Sequence, residues 1–405
     1  MKIFQISSEV NSGSVGRVAE QIGEQVIQKG WESYIAYARD NLPSKSNTIK
    51  IGNKADIIFH VLLTRITDRH AFGSKSSTLK LIEEIKRIKP DLIQLQHLHG
   101  YFINIEILFG FLAEANIPVV WTFHDCWSFT GHCAYYDLVD CQKWQTECNH
   151  CPQKMEYPKS ILIDNSSKNF RDKKRIFSSV DNLTIVAVSN WIKEEAGKSF
   201  FKETDIKVIH NGIDISKFNT RDPDKVRKKY KLEDKFLILG VASPWDTRKG
   251  LKYFVQLTDI LSDQYQILLV GLNKEQIRNL PEKIIGLERT ENIEELAEFY
   301  SAADVFLNPT LEEALGLTNL EAQACGTPVI TFNSGGSPET INEETGIVVE
   351  KGSLQGLLAA IEEIRKNKKQ FYTEKCRKRV ETLFDTKDNF KKYINLYENV
   401  LDKSF

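Results

Sequence analysis

Asp304-Val-Phe-Leu-Asn308 is a short apolar run; beyond Pro309 follow Glu312-Glu-Ala-Leu-Gly-Leu-Thr-Asn-Leu-Glu321 and then Thr327-Pro-Val-Ile-Thr331. Two apolar runs flanking a segment of helical character read as strand, helix, strand, the building block of a parallel sheet. The spacing predicts a helix beginning close to Glu313. A helix N-terminus exposes unpaired N–H groups and a partial positive charge, which suits a phosphate. Gly316 lets a ligand approach the backbone closely. Glu313 and Glu321 are eight positions apart, roughly 12 Å along a helix axis, whereas carboxylates acting as a pair across one bond stand about 5–9.5 Å apart. They fit two grips on a long ligand, one at each end of a diphosphate.

The same alternation extends outward in both directions. Strands are expected at Phe236–Ala242, Gln266–Val270 and Ile347–Glu350, with helices starting near Lys249, Asn292, Glu313 and Ser353. In the first half, strands are expected at Lys2–Ile6, Ser33–Tyr37, Asp91–Gln96, Pro118–Phe123 and Thr184–Val188, with helices over Val15–Lys29, Thr78–Ile88 and Asn104–Ala115. Such a pattern predicts an α/β protein with helices on both faces of parallel sheets. A chain of 405 residues calls for two domains. We place them at 1–205 and 206–386, with a terminal helix at 387–405. Its Phe390, Tyr393, Ile394, Tyr397, Val400 and Leu401 share one face, which by default packs on the nearest domain. The stretch at about 125–158 breaks the rhythm and reads as a Cys-rich insertion.

Composition narrows the partners. With 41% hydrophobic and 27% charged residues and a formal net charge of −1, the chain has the make-up of a globular protein without a global basic field, so no nucleic acid partner is expected. The basic runs Lys168–Arg175 and Lys225–Lys231 read as solvated helix faces. No signal-like segment precedes Lys2–Ile6, and the apolar stretches at 57–63 and 105–113 carry a His or a Glu. Both are too short to span a bilayer, so the expectation is a cytoplasmic protein with at most peripheral membrane contact. Of seven cysteines, five lie between Cys126 and Cys151. Cys133, Cys141, Cys148 and Cys151 are enough for a closed tetrahedral structural zinc site. Free thiols and a redox pair are the alternatives.

Two further groups could meet a ligand. Trp121-Thr-Phe-His-Asp125 closes a strand, which puts His124 at a carboxyl end of the sheet, where ligands of open α/β folds collect. His97 and His99 end the preceding strand. Gly13-Ser-Val-Gly16 lies between the first strand and helix but lacks a full GxGxxG.

Glu313-Ala-Leu-Gly-Leu-(x3)-Glu321 with Ala-Cys-Gly-Thr-Pro-Val resembles the glutamate-seven residues-glutamate motif of glycosyltransferase family 4. Asn211-Gly-Ile-Asp214, Arg248-Lys249-Gly250, Tyr300-Ser-Ala-Ala-Asp304 and Gly335-Gly-Ser-Pro-Glu339 surround it in the family's order. His124-Asp-Cys-Trp127, Thr130-Gly-His-Cys133 and Cys151-Pro152 are similar to a colanic acid-type subset that acts in surface polysaccharide assembly.

The resemblance implies a GT-B fold, with two facing Rossmann-like domains, a cleft between them and a terminal helix that packs back on the first domain. The first would be the acceptor side and the second the nucleotide-sugar side. It implies a retaining transfer from a nucleotide diphosphate-sugar, UDP ahead of GDP, to a hydroxyl of a glycan or lipid-linked acceptor at the inner face of the membrane. No cofactor would be required for catalysis. Glu313 would contact donor-sugar hydroxyls, the N–H groups of Gly316, Leu317 and Thr318 the phosphates, and Glu321 the ribose. Lys249, with Arg248, would neutralise the leaving diphosphate. His124 would lie near sugar and phosphate, and Gly13 and Gly16 would line the cleft. Ser243 departs from the pattern, standing where family members usually carry an arginine. A nucleotide-sugar epimerase, a phosphorylase-like enzyme and a non-catalytic nucleotide-sugar scaffold are the other readings of such a chain.

Overall fold

The computed structural model describes residues 1–402, and the last three positions of the expected terminal helix, 403–405, lie outside the described residues. The chain forms two compact units, Met1–His210 with the chain from Phe390 onward, and Asn211–Asn389.

The first unit runs β1 (Lys2–Ile6), α1 (Gly13–Gln28), β2 (Glu32–Tyr37), β3 (Asn47–Lys50), α2 (Lys54–Thr67), α3 (Lys75–Ile88), β4 (Leu92–Leu95), α4 (Ile105–Ala115), β5 (Val119–Phe123), α5 (Ser166–Phe177), β6 (Leu183–Ala187), α6 (Asn190–Gly197) and β7 (Ile206–Val208). Its seven strands pair in parallel in the order β3-β2-β1-β4-β5-β6-β7. The order reverses between β1 and β4, which makes their carboxyl ends the topological switch point. β7 pairs with β6, Ile185 opposite Ile206, so the run at 206–208 completes the first sheet; the sequence had assigned it to the second domain.

The second unit runs α7 (Asp224–Tyr230), β8 (Phe236–Val241), α8 (Leu251–Thr258), β9 (Tyr265–Val270), α9 (Lys274–Arg278), β10 (Ile284–Leu287), α10 (Ile293–Ala302), β11 (Val305–Asn308), α11 (Leu317–Ala324), β12 (Val329–Phe332), β13 (Gly346–Val349), α12 (Leu354–Asn367) and α13 (Gln370–Leu383). Its six parallel strands take the order β10-β9-β8-β11-β12-β13, with the switch point between β8 and β11. Successive side chains of a strand face opposite ways. Leu237, Leu239, Leu268 and Phe306 therefore pack with Phe299, Tyr300 and Leu320 on one face. Ile238, Ile267, Val305 and Leu307 pack with Phe254, Leu257 and Ile361 on the other.

The last helix, α14 (Thr386–Asp402), leaves the second unit after Asn389 and joins the first at Phe390. Phe390, Tyr393, Ile394, Tyr397 and Leu401 pack against Ile3, Leu92, Val120 and Val186 of the first sheet. The Tyr397 hydroxyl donates to Gln94 Oε1 at 3.0 Å, and that of Tyr393 lies 3.2 Å from Thr122 Oγ1.

The segment 125–158 contains no strand or α-helix, only three short 3-10 turns at Trp127–Phe129, Asp137–Val139 and Lys143–Gln145. One basic residue expected in solvent is inside. Lys173 of α5 is buried; its Nζ donates to the carbonyls of Trp127 (2.7 Å) and Thr130 (3.0 Å), beneath this loop.

Candidate active site

In the second unit, the loops following β8 and β11 meet at the switch point. After β8, a 3-10 turn spans Thr247–Lys249. The Asp246 carboxylate caps it through the Lys249 N–H (3.2 Å) and holds the Arg248 guanidinium at 2.9 and 3.1 Å. The Arg248 carbonyl accepts from the Leu311 N–H at 2.7 Å, which ties the two loops together. Gly250, at φ +74°, lies so close to Pro309 that a Cβ would stand 2.1 Å from its carbonyl oxygen. Lys249 Nζ and Glu313 Oε2 are 2.6 Å apart, with side chains only 23% and 17% exposed. Two residues 64 positions apart thus form one partly desolvated ion pair.

Glu313 is not on a helix. α11 begins at Leu317, with Gly316 before it at φ +92°, so the helix starts later than expected and the spacing from Glu313 to Glu321 is not a helical rise. The Thr310 hydroxyl donates to the Glu312 carbonyl (3.0 Å), and the Gly336 N–H donates to that of Glu313 (2.9 Å). This loop geometry carries Glu313 toward Lys249. The first turn of α11 holds Leu317 and Thr318, which are half-buried. Asn319, fully buried, anchors it: Nδ2 donates to Ser337 Oγ and Thr340 Oγ1, both at 3.0 Å, and Oδ1 accepts from Asn308 at 2.8 Å. Sequence reading missed Asn319, although its place between the two glutamates is visible. Glu321 accepts from the buried Tyr300 hydroxyl at 2.7 Å. Burial and the Glu321 carboxylate push the Tyr300 phenol well above its ordinary range, so it stays a donor. Ser243 is exposed on the loop after β8.

In the first unit, the ends of β4 and β5 bring His97, His99, His124 and Asp125 together. His99 Nε2 lies 2.7 Å and His97 Nε2 3.1 Å from the same oxygen, Asp125 Oδ2. Asp125 Oδ1 accepts from the Trp127 N–H at 2.9 Å, and His99 Nδ1 is 3.0 Å from the Tyr157 hydroxyl. Burial alone would raise the Asp125 carboxyl, but His99 and His97 outweigh it and hold it well below its usual range. His124 is buried, with Nε2 2.8 Å from Gln96 Oε1. Desolvation lowers its pKa to about 3, so it is neutral at physiological pH. Asp125 and Tyr157 were not singled out from the sequence; both gain their place through tertiary packing.

α1 starts at Gly13 itself, which has φ +61°. A Cβ there would lie 2.5 Å from Glu9 Oε2, and one at Gly16 3.1 Å from Glu9 Cβ. The two glycines thus accommodate Glu9, a carboxylate beside the helix start that sequence reading did not weigh.

All seven cysteines are unbridged. Cys133, Cys141, Cys148 and Cys151 line one small pocket in the 125–158 loop, with His132 and Trp144. Among the described residues, the group whose potential ligand atoms lie within 4.8 Å of one another is His97, His99 and Asp125. The sulfurs stand wider.

Comparison with known proteins matches this architecture half by half. Residues 15–217 match the profile described as Glycosyltransferase Family 4, and residues 234–367 the one described as Glycosyl transferases group 1. The chain is 25% identical over 232 residues to WcaC of Escherichia coli K12, named as a candidate colanic acid biosynthesis glycosyl transferase. It is 29% identical over 238 residues to the capsular polysaccharide biosynthesis glycosyltransferase CapM of Staphylococcus aureus. These alignments take in 53% and 54% of this chain and span 55% and 62% of the relatives' own lengths. Among solved structures, sucrose-phosphate synthase of Thermosynechococcus elongatus superposes with a TM-score of 0.73 at 20% identity, covering 99% of both chains. Anabaena Alr3699/HepE in complex with UDP gives 0.67 at 16%, covering 98% of this chain and 99% of its own. At such identities these neighbours establish the fold, two Rossmann-like parallel-sheet domains of the GT-B type. With half of its length matched by the family's own profile and the motif loops seated at the switch point, the chain belongs to glycosyltransferase family 4.

Proposed function

We propose that the protein is a retaining glycosyltransferase that moves a sugar from a nucleotide diphosphate-sugar to a hydroxyl of a glycan or lipid-linked acceptor in surface polysaccharide assembly. The observation that carries this reading is the Lys249–Glu313 pair, 2.6 Å apart beside the start of α11. Lys249 is a fixed cation for the leaving diphosphate, and Arg248, held by Asp246, is a second positive charge next to it. Glu313 accepts hydrogen bonds from donor-sugar hydroxyls, while the N–H groups of Gly316, Leu317 and Thr318 meet phosphate oxygens. Glu321, oriented by Tyr300, takes the ribose hydroxyls.

In the transfer, the bond from the anomeric carbon to the phosphate oxygen breaks as the acceptor oxygen bonds to the same face. The acceptor proton passes to the departing phosphate. Preorganised charge where negative charge develops is commonly the largest catalytic contribution. In the first unit, neutral His124 and the Asp125 carboxylate offer hydrogen-bonding groups suited to a sugar hydroxyl.

The HepE structures hold UDP and UDP-glucose, which favours a uridine nucleotide here too. Thermal unfolding against UDP, GDP, ADP and dTDP tests this. One nucleotide at about 100 times its dissociation constant is expected to add ~2.7 kcal/mol of stability, a midpoint shift of a few degrees. Glu321→Ala is expected to shrink that shift. No shift with any nucleotide would refute the donor assignment.

A lipid-linked acceptor implies work at a membrane surface, and no helix among the described residues is long and apolar enough to cross one. α2 nevertheless turns Ile58, Phe59, Leu62 and Ile66 outward, Phe59 being 65% exposed, beside Ile161, Leu162 and Ile163, with Leu162 at 67%. The two segments are joined by hydrogen bonds from the Ile161 N–H to the Arg65 carbonyl (2.7 Å) and from the Ile163 N–H to that of Ile66 (3.3 Å). A contiguous apolar patch with Lys54, Arg65, Lys154 and Lys159 around it suits an anionic lipid surface. The protein is expected to float with phosphatidylglycerol vesicles and not with phosphatidylcholine ones, and Phe59→Glu with Leu162→Glu to abolish flotation. A dimer in light scattering that the same variant splits would instead assign the patch to a second copy.

A further inference from the structure

The sequence leaves four cysteines open among zinc, free thiols and a redox pair. We propose that Cys133, Cys141, Cys148 and Cys151 bind one structural zinc ion, which closes the loop over residues 125–158.

Four thiols drawn from a single loop line one small pocket, and a closed four-thiolate set is the ligand chemistry of structural zinc. A backbone donor already points at one of the sulfurs. The Gly131 N–H donates to Cys148 Sγ at 3.2 Å, and Cys151 lines the same pocket. Such an N–H···S bond orients a thiolate ligand as outer-shell partners do. The Cys148-Asn-His-Cys151 turn is itself fastened. Lys143 Nζ donates to the Asn149 and His150 carbonyls at 3.0 and 3.2 Å, and the Cys151 N–H donates to Asp164 at 2.7 Å.

The loop has no strand or α-helix to hold its shape. Its internal apolar contacts centre on Phe129, Tyr136 and Trp144, with ring centroids 4.7–5.2 Å apart. A long segment without regular elements commonly needs a staple. Zinc–sulfur bonds of ~2.3 Å would draw the sulfurs to about 3.8 Å from one another, so binding contracts the pocket. Each thiol yields its proton to solvent as its sulfur coordinates. The loop begins at Asp125 and ends beside Tyr157, both partners of His99. The ion therefore acts on the sugar-facing group only through loop position and takes no part in the transfer.

Full-length protein from zinc-supplemented culture, purified without chelator, is expected to contain about one zinc per chain by elemental analysis. Cys148→Ser with Cys151→Ser is expected to retain less than about a tenth of that. Because the serine pair could unfold the loop, the unsubstituted protein reloaded with cobalt is the second measurement. It is expected to show thiolate-to-cobalt charge transfer and intense tetrahedral visible bands. His97→Ala and Asp125→Asn, at the other group of potential ligands, are expected to keep the zinc. Zinc below about a tenth of an equivalent in the unsubstituted protein, zinc lost with His97 or Asp125 but not with the cysteines, or a cobalt spectrum without thiolate bands would each overturn the proposal.

Discussion

Lys249→Ala and Glu313→Ala are each expected to lower turnover by about 10²–10³, the scale for removing one preorganised stabilising group. Their pairing at 2.6 Å with less than a quarter of either side chain exposed separates them from ordinary surface ion pairs, which are worth little. On the proposed function, lysine loss removes the positive charge meant for the departing diphosphate, so kcat is expected to fall. Glutamate loss removes an oriented acceptor for sugar hydroxyls and leaves Lys249 without its positioning partner, so KM and kcat both change. The two residues touch, so the double variant is expected to lose less than the product of the single losses. A donor-consumption assay reads all three. Near-full activity in both single variants would show that the chemistry lies elsewhere.

Gly335→Ala is expected to reduce stability by about 2–4 kcal/mol, combining a left-handed backbone with an overpacked site. At φ +54°, a Cβ on Gly335 would stand 1.9 Å from the Glu313 carbonyl oxygen and 3.3 Å from its nitrogen. Both are backbone atoms, so the collision cannot be relieved by rotating a side chain. It must push the Glu313 loop away from Lys249, and activity should fall with stability. Gly352→Ala is the control: it has φ +85°, and a Cβ there would lie 3.5 Å from the Tyr253 hydroxyl, an ordinary contact. It carries the backbone strain without the collision and should cost about 1 kcal/mol. Equal losses in the two variants, read by denaturant unfolding, would refute the clamp.

Much of this architecture can be read from residue pattern. β5, β8, β9 and β11 are continuous apolar runs because both faces of a parallel sheet are covered. β3 and β10 escaped detection because they are short and, at Asn47–Lys50, largely exposed. α2 was visible only as an apolar stretch, since part of its apolar surface faces outward and the usual contrast between buried and solvated faces is blurred. The late start of α11 was hidden by Ala314 and Leu315, which are apolar and buried as helical residues would be, while the loop is set by hydrogen bonds that periodicity does not record. Lys249 and Glu313 were each visible in the motifs, but their pairing was not, because it depends on the loops after β8 and β11 meeting. His97 and His99 could be placed at a strand end, but their meeting at Asp125 could not, because it depends on the ends of two neighbouring strands and on Tyr157 folding back from the far end of the 125–158 loop.

The terminal helix has a consequence for the order in which the molecule is made. Gln94 and Thr122 find their partners in Tyr397 and Tyr393, 303 and 271 residues later. At a synthesis rate of ~5–20 residues per second, on the order of ten to thirty seconds separate the emergence of residue 210 from that of Phe390. Throughout that interval the part of the nascent first sheet's apolar face that α1 does not cover is left open, while the second sheet is translated whole. The domain made first is thus the last to finish folding. A ribosome-bound intermediate of this protein is a natural client for chaperones that hold exposed apolar surface.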